Sequence, residues 1–152
     1  MARTYKAKPD ELKKVMNEIL QEYGDNVTEG VKAATKAVAK IAMRETKARS
    51  PVHKGAYVTK KGTPLKRKGK RKPGTYKKGW RVKEESLNRL QTSAIVHNRT
   101  DYQLAHLLEK GHALKRGGRT YGKAKDIVHI EPAEQRAIKN LEEAVRRIAK
   151  EG

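Results

Sequence analysis

Glu109 and His112 have the spacing of a carboxylate and an imidazole that ligate one metal ion from a single helix, and His106 lies one helical face away. Bundle metal sites of this type need a second such pair and further carboxylates on facing helices. The rest of the chain provides no second pair. We therefore expect His112 to cap or pack at a helix end, where a partly protonated imidazole favours the helix dipole.

A glycine-rich segment, GGRTYGKA at residues 117–124, nearly matches the GxxxxGK[ST] loop that binds phosphates. Ala124 stands where the motif needs a hydroxyl for magnesium, and the segment follows a helical pattern instead of a strand. The scattered histidines His53, His97 and His129 have no Ser or Asp at a spacing that indicates a catalytic triad. The sequence therefore predicts neither an enzyme nor a metal or cofactor site.

The segment from Thr46 to Lys83 contains fifteen Lys and Arg residues and no Asp or Glu. Its charges repel one another and its Pro and Gly residues interrupt regular structure, so we expect an extended basic arm or loop. Such an arm can bind nucleic-acid phosphates without sequence preference, or order itself against an acidic protein. The residues predicted to make these contacts are Lys60, Lys61, Lys66, Arg67, Lys68, Lys70, Arg71, Lys72, Lys77 and Lys78.

Aromatic residues lie among these charges, at Tyr57, Tyr76 and Trp80, but their wide spacing argues against a platform for base stacking. The whole chain carries 37 Lys and Arg against 17 Asp and Glu, a formal charge of +20 on 152 residues, so nucleic acid is one partner class. With no Phe and one Trp, the core is expected to be modest, and self-association can complete it. Cysteine is absent, and no apolar run approaches the length of a membrane span, so no membrane partner is expected.

A small set of helices and strands must position these candidates. Apolar residues at helical spacing predict a helix from about Pro9 to Ala48, which Gly24 can bend or end. The pair Ser50-Pro51 stops this helix, because proline disfavours a helical conformation in the residue before it. Short runs rich in β-branched and aromatic residues predict strands at 79–83 and 89–98.

The second half of the chain predicts four further segments. Asp101 can cap a short helix that ends at Gly111, and residues 113–125 form a basic loop. Ile127–Ile130 is predicted as a last strand, after which Pro132 opens a terminal helix. The predicted fold is a single α+β domain, residues 1–152, with a long N-terminal helix and a C-terminal helix packed on a small antiparallel sheet. The arm at 46–83 is a long basic loop within it.

Short motifs follow one another along the chain in the order Ser50-Pro51-Val52, Gly79-Trp80-Arg81-Val82, Val96-His97-Asn98, Tyr102-Gln103-Leu104-Ala105, Leu108-Glu109-Lys110-Gly111-His112 and Ile130-Glu131-Pro132-Ala133. Across roughly residues 30–150, this order resembles that of the tailed-phage (siphophage) neck or head-to-tail joining proteins, also described as tail-component or minor capsid proteins. The loop between Thr59 and Lys78 is longer and more basic than the common pattern of that family. The resemblance implies that most of the matching positions are scaffold. They are Ser50, Pro51, Val52, Gly55, Trp80, Asn98, Tyr102, Glu109, Gly111, His112, Pro132 and Ala133.

The resemblance also implies function by assembly. Copies would form a ring of six or twelve in the neck of the virion, beside other connector and tail proteins, after assembly in the host cytoplasm. The basic arm would meet an acidic neighbour or contact packaged DNA non-specifically. We favour the protein neighbour, because a ring channel lined densely with Lys and Arg would bind DNA strongly and oppose its passage through the ring. A non-specific nucleic-acid-binding protein of ribosomal or chromatin-associated type is the alternative, and it explains the charge but not the ordered motifs.

Overall fold

One long helix organises the fold. In the computed structural model, which describes residues 11–52, 74–86, 88 and 91–151, helix α1 spans Leu12–Arg49. It continues through Gly24, where the sequence predicted a bend or an end, and the predicted start at Pro9 lies outside the described residues. The predicted stop is confirmed, because the backbone N–H and the hydroxyl of Ser50 both donate to the carbonyl oxygen of Thr46.

Seven further elements follow in the described residues. They are α2 (Thr75–Lys78), β1 (Trp80–Ser86), β2 (Thr92–Asn98), α3 (Tyr102–Lys110), β3 (His112–Arg116), β4 (Arg119–Ala124) and α4 (Glu131–Glu151). Strands β1 and β2 pair antiparallel with Trp80 opposite Asn98, and β3 and β4 form a second antiparallel pair. The predicted α+β class is therefore confirmed, with helices and short antiparallel strands.

Two predictions for the second half of the chain are wrong. Residues 113–125, predicted as a loop, form most of the β3–β4 hairpin. Gly117 and Gly118 have φ values of +57° and +76°, as the two central residues of a type I′ hairpin turn require. Ile127–Ile130, predicted as a strand, has no regular structure and leads into α4. The strands therefore form two separate hairpins instead of one sheet.

Helix α4 packs antiparallel on α1. Near one end Arg136 donates to Glu45 at 2.9 Å, and near the other the Tyr23 hydroxyl donates to the carbonyl oxygen of Ala149 at 3.0 Å. At 1.5 Å per residue, the 38 residues of α1 span about 57 Å and the 21 residues of α4 about 31 Å. The first three turns of α1 therefore extend beyond the end of α4.

The core is small and lies where α1, β1 and the start of α4 meet. Among the described residues, the apolar side chains that are buried are Ala39, Ala42, Tyr76, Trp80 and Ala133. Small alanines let the helices approach closely, while the two aromatic rings fill the space that remains. The modest core predicted from composition is confirmed for this part of the chain.

Gly111 ends α3 with φ +67° and ψ 173°, a conformation that only glycine adopts readily. A Cβ atom at this position would also lie 2.6 Å from the carbonyl oxygen of Ala124. We expect Gly111→Ala to lower the free energy of unfolding by about 3 kcal/mol, measured by urea denaturation.

Gly118→Ala is the matched control, because φ is +76° there but nothing lies within 4 Å of the added Cβ. It should cost only the left-handed backbone conformation, about 1–2 kcal/mol. Equal losses in the two variants would contradict the steric part of this account.

Candidate assembly surface

The predicted basic arm leaves and rejoins the fold at one place. Trp80 Nε1 donates to Ser50 Oγ at 2.7 Å, so the residues on either side of the segment 53–73 are held together. Lys77 Nζ also reaches the carbonyl oxygen of Ala48, at 3.5 Å. The two ends of the predicted arm therefore belong to the fold, since 46–49 closes α1 and 75–83 forms α2 and the start of β1.

Two of the ten basic residues predicted to contact a partner, Lys77 and Lys78, lie in α2, and Lys78 is exposed. The other eight lie outside the described residues, as do Tyr57 and Gly55. Tyr76 and Trp80 are only 8% and 3% exposed, so neither ring is available to stack on a base. The contacts of the arm remain a prediction.

A buried polar cluster that the sequence did not reveal lies beneath the base of the arm. The Tyr76 hydroxyl is 2.7 Å from His129 Nε2, while His129 Nδ1 is 2.7 Å from the Ile127 carbonyl oxygen and 2.9 Å from Glu109 Oε2. Both neighbours of Nδ1 are acceptors, so Nδ1 carries a hydrogen, and in the neutral imidazole Nε2 accepts the hydrogen of the Tyr76 hydroxyl. Burial, together with the charges of Glu109 and Asp101, raises the pKa of Tyr76 to about 12, which keeps this donor protonated.

His129 is fully buried, and the rings of Tyr76 and Trp80 meet it edge to face at centroid distances of 5.6 and 6.2 Å. An imidazole enclosed in this way has no access to a substrate, so it does not act as a general base on an external molecule. Its neighbours come from α2, β1, α3 and the segment before α4. The cluster therefore fixes these elements to one another.

Glu109 caps the start of α4 from a distance in sequence. Its two carboxylate oxygens accept the backbone N–H groups of His129, Ile130 and Glu131 at 2.9–3.2 Å. Burial alone would raise the pKa of Glu109, but these three donors and the neighbouring His129 outweigh it and hold the pKa below its usual range. The carboxylate therefore binds the N-terminus of α4, where its negative charge also interacts favourably with the positive end of the helix dipole.

Asn98 closes the turn between β2 and α3. Its Oδ1 accepts the backbone N–H groups of Thr100 and Asp101, at 3.2 and 2.9 Å, and its Nδ2 donates to the Tyr76 carbonyl oxygen at 2.8 Å. The sequence predicted Asp101 as the cap of α3. The side chain of Asn98 satisfies the backbone here, whereas the Asp101 side chain makes no capping hydrogen bond to α3.

The remaining scaffold positions divide between buried and exposed. Ala133 is 1% exposed and packs in the core, as expected of scaffold. Tyr102, which the resemblance implies is scaffold, is 67% exposed, so its side chain lies outside the core. His112 begins β3, and its buried Nδ1 has no hydrogen-bond partner among the described residues.

A sequence profile described as "Bacteriophage HK97-gp10, putative tail-component" matches residues 13–111, well over half of the chain. The chain belongs to this HK97-gp10-like family. The predicted resemblance to a tailed-phage structural family is thereby confirmed at the level of a tail component. Neither the curated proteins nor the solved structures compared with the chain gave a match.

The region that matches the tail-component family begins in α1 and ends at Gly111, so the β3–β4 hairpin and α4 lie beyond it. A phage tail component is part of the virion and contacts other phage structural proteins. Across the described residues, no set of His, Cys, Asp and Glu side chains is placed to hold a metal ion. The helices of the same residues are too short or too polar to cross a membrane.

Contacts with other structural proteins require exposed surface, and this tail component has apolar surface that its described residues leave open. A groove of about 470 Å³ runs along α1 between β2 and α4. Small residues of α1, including Ala39 and Ala42, form its floor, and Ile95 and Ile138 stand on its walls at 47% and 54% exposure. A second apolar surface lies on α1, where Leu12, Met16 and Leu20 are each more than half exposed.

Proposed function

We propose that the protein is a subunit of the head-to-tail connector of a tailed-phage virion, where six or twelve copies form a ring in the neck. Membership of a phage tail-component family supports a structural role. The order of motifs shared with neck proteins supports this particular place in the particle. In such a ring each copy contacts other copies and the neighbouring connector and tail proteins.

The observation that carries the proposal is the amount of apolar surface left exposed by one chain. Large apolar patches on a soluble chain mark protein interfaces more often than they mark free surface. Here the exposed stripe lies on the first turns of α1, and the open groove lies farther along the same helix, between β2 and α4. Identical copies that cover one another's surfaces provide the simplest way to bury them.

The basic arm is proposed to order itself against an acidic neighbouring protein when the ring docks. Its two ends are joined by the Trp80–Ser50 hydrogen bond, so the arm is anchored at one point of each subunit. Charge-assisted contacts to carboxylates would offset the entropy lost on ordering. Tight, non-specific binding to DNA would instead oppose passage of the genome through the ring.

Light scattering on the protein freed of nucleic acid tests the ring. Over a range of protein concentrations we expect one discrete species with the mass of six or twelve subunits. Its mass should be unchanged by nuclease treatment. A protein that stays monomeric at all concentrations, yet retards random DNA at physiological salt, would contradict the ring and favour the nucleic-acid-binding alternative, whose affinity should fall steeply with added salt.

A further inference from the structure

We propose that the contact between neighbouring copies is heterologous: the exposed amino-terminal part of α1 in one copy docks on the β3–β4 hairpin of the next. This inference rests on the proposed ring and names the two surfaces that form it. We call residues 11–29 the helix surface and residues 112–125 the hairpin surface. Each is exposed in a single chain, and the two are complementary in charge.

The helix surface is a continuation of the face that packs on α4. Leu12, Met16, Leu20 and Tyr23 recur at helical spacing, so they form one apolar stripe with exposures of 42–63%. Tyr23 bonds to the end of α4, and the more N-terminal residues have no α4 beside them. The stripe therefore has the same composition as a packed helix face, but no helix of the described residues covers it.

The helix surface also carries acidic charge in a chain that is otherwise basic. Residues 11–29 contain five Asp and Glu against two Lys, a net charge of −3, whereas the whole chain is +20. The acids are spaced by seven, four, three and four residues, which keeps them on one side of the helix. They are Glu11, Glu18, Glu22, Asp25 and Glu29. Partly buried Val15 and Ile19 lie between this acidic stripe and the apolar one.

The hairpin surface has the opposite charge and its own exposed apolar side chains. Residues 112–125 contain five Lys and Arg and no Asp or Glu. Leu114 is 47% exposed and Tyr121 is 71% exposed. Tyr121 is the extra residue of a β-bulge, because its neighbours Thr120 and Gly122 pair with the consecutive residues Lys115 and Leu114. Bulges of this kind turn a side chain away from the regular ladder.

The part of the chain that the structure describes gives the hairpin no layer to pack on. Every described side chain from Ala113 to Lys123 is exposed, and a two-stranded hairpin on its own is marginally stable in water. Its base is held by the backbone hydrogen bond from Ile127 to Leu108, at 2.7 Å. Its strands therefore present both apolar and basic groups to whatever covers them.

The two surfaces of one copy cannot reach each other. The hairpin leaves the fold beside the start of α4, which lies next to Glu45 of α1, while the helix surface ends at residue 29. These two levels of α1 are separated by about 24 Å along the helix, and a hairpin with strands of six residues reaches about 20 Å. Within the described residues, neither surface can therefore cover the other, and a partner from another molecule can reach both.

A second copy of this chain is the occupant that these observations favour. It supplies a basic, partly apolar hairpin to an acidic, partly apolar helix, so both charge and apolar surface are matched. Pairing of two helix surfaces would instead bring their acidic stripes toward each other. A contact between two different surfaces, repeated from copy to copy, closes into a ring when the rotation per copy allows it.

Disulfide trapping tests the contact directly, because the chain contains no cysteine. Leu20→Cys and Tyr121→Cys change exposed side chains, so neither variant should disturb the fold. When the two are mixed and oxidised, we expect a covalent dimer that contains one copy of each, and the double variant should give a ladder that ends at the ring size. Disulfide formation requires Cα atoms within about 7 Å, so the result reports true proximity.

The control pairs Tyr121→Cys with Glu143→Cys, whose side chain is exposed on α4 and lies outside the helix surface, the hairpin surface and the groove. It should give several-fold less dimer than the proposed pair. Dimers that form equally well from Leu20→Cys alone would overturn the heterologous contact and indicate pairing of helix with helix.

Charge reversal provides a second readout. Glu18→Lys with Glu22→Lys, or Lys115→Glu with Lys123→Glu, should each weaken association by about tenfold or more at low salt. The four changes together should restore it. Reversal of Glu142 and Glu143 on α4 is the matched control and should leave the native mass unchanged.

The outcomes separate this inference from the ring itself. A ring-sized mass with no disulfide between positions 20 and 121, and no effect of charge reversal, would overturn the inference and leave the ring standing. A protein that forms no oligomer at all, and no cross-link, would overturn both.

Discussion

Replacing Trp80 by alanine is expected to lower the free energy of unfolding by about 3–5 kcal/mol, the cost typical of removing a large buried aromatic side chain. The indole is 3% exposed and contacts Tyr76 edge to face, with the ring centroids 5.8 Å apart. Its removal would leave a cavity at the point where α1, β1 and the base of the basic arm meet. Urea denaturation followed by circular dichroism measures the change.

Trp80→Phe separates packing from hydrogen bonding. It keeps most of the ring volume but removes the Nε1–H that donates to Ser50 Oγ at 2.7 Å. We expect a loss of about 1–2 kcal/mol, and a double-mutant cycle with Ser50→Ala should show coupling of about 0.5–3 kcal/mol. A loss below about 1 kcal/mol for Trp80→Ala would mean that the ring contributes little to the core.

The hydrogen bond between Trp80 and Ser50 joins the two ends of the arm, so removing it should also weaken the proposed assembly. Trp80→Phe breaks the hydrogen bond between the two ends of the arm without emptying the core. The variant should therefore fold, but on the proposed function it should bind the neighbouring connector proteins less tightly. Binding of wild type and variant at equal folded fraction distinguishes this effect from simple unfolding.

The long helix was predictable because its signals are local. Apolar residues recur at helical spacing over many turns, and the Ser50-Pro51 pair stops the helix by its own chemistry. Gly24 did not end it, since one glycine in an exposed helix costs only about 1 kcal/mol relative to alanine. Strands β1 and β2 were likewise indicated by β-branched residues close to their observed positions.

The sequence predicted a loop in place of the β3–β4 hairpin, because the high positive charge of the segment outweighed its turn signal. The Gly117-Gly118 pair between two short runs is a recognised type I′ hairpin sequence, yet the surrounding Lys and Arg residues favoured a loop. Ile127 and Val128 led to the opposite error. Their apolar side chains indicated a strand, but they are 41% and 47% exposed, and their segment serves to place His129 in the core.

The polar cluster could not be predicted because its members are distant in sequence. Tyr76 and His129 are 53 residues apart, and Tyr76 lies in a segment whose composition indicated an extended arm. Glu109 was considered as a metal ligand on the basis of its spacing to His112. In the fold it turns to the N–H groups before α4, a contact that depends on how α3 and α4 are brought together and not on any local pattern.

Glu109→Ala is expected to cost at least about 2 kcal/mol in the free energy of unfolding, because three backbone N–H donors lose their acceptor at once. The buried His129 also loses a carboxylate 2.9 Å from its Nδ1. Glu109→Gln keeps an amide oxygen that can accept some of these hydrogen bonds but has no charge, so it should lose less.

The pH dependence of the free energy of unfolding shows how much of the Glu109 contribution comes from its negative charge and how much from its hydrogen-bonding oxygens. Its pKa in the folded protein lies below the ordinary value of 4.5, so its contribution to stability is complete above about pH 4.5. As the pH falls below that value the unfolded chain takes up the proton first, and the contribution is lost as the pH passes through the lowered pKa. Wild type should therefore lose more stability than Glu109→Gln between about pH 5 and pH 3, in urea titrations made at each pH. The other carboxylates titrate in both proteins, so their effects cancel when the two stabilities are subtracted. If the free energies of unfolding of wild type and Glu109→Gln change in parallel with pH, the charge of Glu109 does not contribute to the cap.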